Sequence, residues 1–105
     1  MPVPAYTKRL MFLLNQTGPA ETAVPPGKVW VVRCIDGFMT GAVPSVVWAQ
    51  IMPQALTFYW HKVPDANTLG FQWKGRQVLI EGESLLLAAQ VTTHAVATGY
   101  ELSQV

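Results

Sequence analysis

The stretch Phe71–Leu87, FQWKGRQVLIEGESLLL, decides the fold. Phe71 and Trp73 are spaced at period two, and so are Val78 and Ile80, but the first pair is odd-numbered and the second even-numbered. An inward set that changes parity between Trp73 and Val78 predicts one extra residue in the strand, and Gly75 is the natural site for that bulge. Glu81-Gly82-Glu83 then supplies a glycine-centred turn, after which Leu85, Leu87, Ala89 and Val91 resume the alternation. Strand, bulge, turn and strand together predict the corner of an antiparallel β-sandwich.

Upstream, Val29–Phe38 reads as a strand with Trp30, Val32 and Cys34 facing the core and Val29, Val31, Arg33 and Ile35 facing away. Val46–Met52 and Leu56–Val63 form a hairpin around Pro53-Gln54-Ala55. In its second arm Leu56, Phe58 and Trp60 are expected inside, with Thr57, Tyr59 and His61 outside. Thr7–Gln16 is a strand that is apolar on both faces through Leu10–Leu14, and the Gly- and Pro-rich segment Thr17–Lys28 reads as a loop. Pro64–Gly70 is a second loop, and the final strand, about His94–Leu102, is expected to turn Val96, Thr98, Tyr100 and Leu102 inward. With no helical period of useful length, the sequence predicts an all-β, single-domain antiparallel sandwich of jelly-roll type over residues 7–105, with about seven or eight strands. Residues 1–6, with Pro2 and Pro4, are expected to be an extended arm. The predicted core comprises Trp30, Val32, Phe58, Trp60, Phe71, Trp73, Leu85, Leu87 and Tyr100.

Composition bears on how such a domain lives. Half of the 105 residues are apolar and only 12% are charged, about half the usual charged fraction. So few charges leave apolar surface that burial against other chains would cover, so an assembly subunit is expected. The net charge is +1 and no basic run occurs, which gives nucleic acid no electrostatic footing. Cys34 is the sole cysteine; it excludes an intrachain disulfide and a cysteine metal cluster, and reads as an inert thiol. The N-terminal apolar run, Leu10–Leu14, is too short for a signal peptide or a membrane span, so no membrane insertion is expected.

Residues that could carry chemistry are sparse. His61 and His94 have no H-x-H, HExxH or cysteine partner. Glu81 and Glu83 could pair as glycosidase carboxylates, but two acids on one tight turn are more simply a solvated turn. Ser45, Ser84 and Ser103 lie outside any G-x-S-x-G elbow, and Lys28 outside any phosphate loop. The expectation is a protein that is not an enzyme and uses no cofactor or metal. Tyr59, Trp48 and Trp73 could form a sugar-stacking patch, although aromatic residues also serve cores and subunit interfaces. Lys74 and Arg76 bracket the expected bulge and could reach Asp65, Glu81 or Glu83, within the chain or across a subunit boundary. The expected partner-contact residues are therefore Tyr6, Arg33, Trp48, Tyr59, Lys74 and Arg76.

Three blocks, VPPGKVWVVRCID, FQWKGRQVLIEGESL and TGYEL, carry a resemblance. They are similar to a pattern of small tail-region proteins of actinobacterial siphophages: V-P-x-G-x-x-W-V-V-R, then W-x-G-R-x-V-L-x-x-G-E-x-L, then S-G-Y-x-L. The matching positions are Val24, Pro25, Gly27, Trp30, Val31, Val32 and Arg33; Trp73, Gly75, Arg76, Val78, Leu79, Gly82, Glu83 and Leu85; and Gly99, Tyr100 and Leu102. Thr98 stands where the pattern has Ser, and residues 37–70 match no part of it. The resemblance implies a virion structural protein, assembled in the host cytoplasm: a minor tail protein packing on itself and on larger tail proteins. A capsid decoration protein, or a module that binds a host-surface glycan from the virion, are the alternatives it leaves open.

Overall fold

A computed structural model describes residues 8–67 and 69–103, without the side chains of 12–17. The expected arm 1–6, and Tyr6 within it, lie outside the described residues. The chain forms β1 (Lys8–Ala23), β2 (Lys28–Met39), β3 (Ser45–Met52), β4 (Leu56–Val63), β5 (Gly70–Leu79) and β6 (Ser84–Ser103). All pairings are antiparallel and belong to one sheet.

The organising element is β6, 20 residues long. One edge carries β1 along nearly its whole length, from Ala23↔Ser84 to Lys8↔Gly99. The other edge carries β3 at Ser84–Ala89 and β2 at Thr93–Ser103. The hand-over falls at Gln90–Thr92, where the amides of Thr40 and Gly41 both donate to the Thr92 carbonyl, at 2.8 and 3.0 Å. β4 lies outside β3 and β5 outside β2. Counting the two arms of β6 separately gives seven antiparallel strands in one sheet that curls into a nearly closed barrel. Rings across the β4–β5 gap complete the closure: Phe58 meets Trp73 edge-on at 5.1 Å, and Tyr59 lies 6.5 Å from Phe71. The all-β, antiparallel class matches the sequence, but one curled sheet replaces a pair of stacked sheets.

Several expected faces are reversed. In β5 the odd residues stay inward throughout, with Phe71 and Leu79 buried while Val78 and Ile80 are 41% and 52% exposed. The parity change is instead in β2: Trp30 and Val32 are inward, then Ile35 and Met39, leaving Cys34 on the outer side. The register shows why. Val32 opposes Gln77 and Cys34 opposes Lys74, so Arg33 faces the pair Gly75 and Arg76. Against β2, the extra residue therefore lies in β5 at Gly75–Arg76, where the sequence placed it, while against β6 the extra residue is Arg33 of β2, so the change of facing falls in β2 and not in β5. Gly75 has another task, since the Trp73 indole lies over it and a Cβ there would come within 2.7 Å of the ring.

In β4 an extra residue at Phe58 shifts the register from Gln50↔Thr57 to Ala49↔Tyr59. Tyr59, His61 and Val63 therefore point inward, and Trp60, expected in the core, is 61% exposed. In β6 the inward residues are Thr93, Ala95, Ala97 and Gly99, so Val96, Thr98, Tyr100 and Leu102 take the outer face and Tyr100 leaves the predicted core. The segment Thr17–Ala23, expected as a loop, continues β1; Pro19 is tolerated because β1 is paired only through β6. Trp30, Val32, Phe71, Leu85 and Leu87 are buried as expected, and Phe58 and Trp73 are partly buried against them.

Two polar contacts tie the ends of the sheet. The Trp30 indole N–H donates to Glu101 Oε2 at 2.9 Å, and Lys8 Nζ donates to Glu101 Oε1 at 3.1 Å. The Trp30 bond and then the Lys8 contacts hold the Glu101 carboxyl below its ordinary value of 4.5. A depressed folded-state pKa contributes stability that is present above the unfolded value and is lost as pH falls through the folded one. The urea midpoint should therefore fall as pH drops below about 4.5, and Glu101→Gln should flatten part of that acid slope. An unchanged acid slope in the variant would remove Glu101 from this role.

Candidate functional site

Turn chemistry accounts for the two clustered glutamates. The Glu83 amide donates to the Ile80 carbonyl at 3.0 Å with Gly82 at φ 92°, a type II turn. Glu83 Oε1 accepts from the Ile80 amide at 2.8 Å and Oε2 from Gln54 Nε2 at 3.2 Å, while Glu81 accepts from the Gly27 amide. The carboxylates thus join three loops at one end of the barrel rather than forming a paired acid–base site. Asp65 is likewise engaged, accepting from the Asn67 amide at 2.9 Å.

The histidines lie on opposite faces of the sheet. His61 is inward, stacked on Tyr59 at 6.3 Å, and His94 is outward, stacked on Phe38 at 5.0 Å. Among the described residues no three of His, Cys, Asp and Glu come together as a metal site. Cys34 Sγ donates to Asp36 Oδ2 at 3.1 Å, and Gln72 Nε2 donates to Asp36 Oδ1 at 2.7 Å. Burial first, then the Asp36 carboxylate, raises the Cys34 pKa, which disfavours the nucleophilic thiolate. Tyr59, expected as an exposed contact, turns into the barrel with its hydroxyl buried and without a hydrogen-bond partner. Burial, and then the Asp36 charge, pushes its pKa up to about 12.

Besides a groove of about 450 Å³ where Phe38 stacks on His94, two patches stand out on the outer surface of the described residues. On the β5–β2–β6 face, Val78, Val31 and Tyr100 form one cross-strand row, and Val29 and Leu102 form the next, with Ile80 just past the end of β5. Val78, Ile80 and Leu102 are 41%, 52% and 43% exposed. The exposed cations Arg33, Lys74 and Arg76 gather at the bulge on these strands. None of them forms an ion pair with Asp65, Glu81 or Glu83; the ion pair found among the described residues is Lys8–Glu101.

The second patch is on the other half of the barrel. Trp48 and Trp60 oppose each other across β3 and β4 on the outer face. Val46, Trp48, Gln50, Thr57, Trp60 and Gln90 line a shallow groove of about 380 Å³. Of the expected sugar-stacking trio, Trp48 alone lies here, since Tyr59 and Trp73 face inward. The sequence conceals the pairing of Trp48 with Trp60, because Leu56, Phe58 and Trp60 read as one apolar inward face and only the inward turn of Tyr59 puts Trp60 outside. No family model, no curated protein and no solved structure matches this chain.

Proposed function

We propose that this protein is a non-enzymatic structural subunit of a phage particle, a minor tail protein that packs on copies of itself and on larger tail proteins. The observation that carries the reading is the exposed apolar set Val78, Ile80 and Leu102 on a chain with only 12% charged residues. Removing such a row from water stabilises an assembly by about 25 cal/mol per Å² of apolar area. The neighbouring Arg33, Lys74 and Arg76 would set the register of the contact more than its strength. The three-block resemblance supplies the virion setting. In that setting the barrel serves as a jelly-roll-like brick, its curled halves packed on each other.

Light scattering coupled to size exclusion should give a mass that rises with concentration above the 11.5 kDa of one chain. The double substitution Val78→Lys with Ile80→Lys should return a folded monomer. A wild-type protein that stays monomeric at high concentration would overturn self-packing through this face. Microscopy of particles carrying a labelled copy should place the label on the tail; a label on the head would replace the tail reading with capsid decoration.

A further inference from the structure

We propose that the outer face of β3 and β4 is a binding platform for an uncharged oligosaccharide, seated on Trp48 and Trp60 and hydrogen-bonded by Gln50, Thr57 and Gln90. This site is separate from the apolar row on the β5–β2–β6 face and does not depend on the virion reading.

The groove has the mixed chemistry that a sugar needs. Its aromatic side is the direct cross-strand pair Trp48↔Trp60, with Trp60 61% exposed. An indole face is electron-rich and attracts the weakly positive C–H face of a pyranose, while excluding water from it. In the flanking rows Gln50 opposes Thr57 on β4 and Leu86 on β6, and Val46 opposes Lys62.

The polar groups are fixed and only partly used. Gln50 Nε2 donates to Thr57 Oγ1 at 3.0 Å, which leaves the Gln50 carbonyl oxygen as an acceptor and the Thr57 hydroxyl as a donor. Gln90 Oε1 accepts from the Val46 amide at 3.0 Å, taking the place of a ladder carbonyl where β6 changes partners. That bond anchors the Gln90 side chain and leaves its NH₂ group, two donors, for a ligand. Sugar hydroxyls both donate and accept, and these three side chains offer both.

Charge decides the ligand class. No charged side chain lines the groove itself, and the exposed Lys62 lies beside it opposite Val46, so a nucleic acid or a densely anionic glycan would find no run of cations to match its charges. A purely apolar ligand would strip water from the two amides without replacing their hydrogen bonds. The volume is at the low end of small-ligand sites, which suits one or two sugar units of a longer chain lying across an open face.

Calorimetric titration of the full chain with maltoheptaose, cellohexaose, chitohexaose and mannohexaose tests this. Saturable binding to at least one is expected, with heparin failing to compete. Trp60→Ala should weaken that binding by about 10-fold or more, whereas Trp60→Phe should keep it within about threefold. Because Trp60 is exposed, circular dichroism should show both variants folded. The proposal is overturned if none of the four oligosaccharides binds, or if Trp60→Ala binds as the wild type does. It is equally overturned if Trp60→Ala lowers the mass of an assembly in light scattering while no sugar binds, which would make the face a protein contact.

Discussion

Gly99→Ala is expected to prevent folding or to lower the stability by at least about 3 kcal/mol, at the upper end of what overpacking costs. A Cβ at Gly99 would lie 1.9 Å from the Val31 carbonyl oxygen and 2.9 Å from its carbon. Both are backbone atoms of the paired strand, so no side-chain rotation relieves the clash. The contact occurs where β2 carries its bulge, with Val32 opposite Gly99 and Cys34 opposite Thr98. Opening it would separate β2 from β6 at the point that sets the inward face of both. Gly70→Ala is the control, since the nearest atom to its Cβ is 3.7 Å away; its urea midpoint should stay near the wild-type value. A Gly99→Ala protein with a wild-type midpoint would mean that β2 and β6 do not approach as described.

The second large effect is expected at Trp30. It is buried, packs in the barrel interior, and its indole N–H is bonded to Glu101. Trp30→Ala should cost ~3–5 kcal/mol from lost burial and the cavity left behind. Against a total stability of about 5–15 kcal/mol for a domain, that loss leaves little or no folded protein. Trp30→Phe keeps most of the ring and loses the hydrogen bond, so a smaller cost of about 1–2 kcal/mol is expected. Urea denaturation followed by circular dichroism separates the two, and equal midpoints for Trp30→Ala and wild type would contradict the assigned interior.

Most strands and turns are legible in the sequence, except that Thr17–Ala23 extends β1 instead of looping and Ser84–Ser103 is one continuous strand, while facing is legible only in part. The hairpin at Pro53-Gln54-Ala55 and the turn at Gly82 declare themselves through residues that favour turns. Facing fails where both sides of a strand are apolar, because alternation then carries no contrast. In β2 and β5, Val31, Val78 and Ile80 are as apolar as the residues inside, so the parity change could be assigned to either strand. In β4 the more apolar set, Leu56, Phe58 and Trp60, suggests the core, but the bulge at Phe58 turns Tyr59 and His61 inward. In β6 the interior is lined by the small residues Ala95, Ala97 and Gly99, while the larger Val96, Tyr100 and Leu102 face outward, so side-chain size and apolarity point to the wrong face. The candidate sugar platform is half visible in the sequence, which offers Trp48 for it but makes Trp60 read as core.

The spine of the sheet is also the strand synthesised after the other five. Since β1, β2 and β3 all find a neighbour in Ser84–Ser103, a ribosome-bound chain that stops short of these residues keeps only the β3–β4 and β2–β5 pairings. Until then the LMFLL run of β1 has no strand to pair with. Non-local topologies of this kind fold slowly and expose adhesive segments while they wait. The interval between making the first strand and the last is therefore when this chain is most vulnerable to aggregation, and a chaperone bound near Leu10–Leu14 would protect it then.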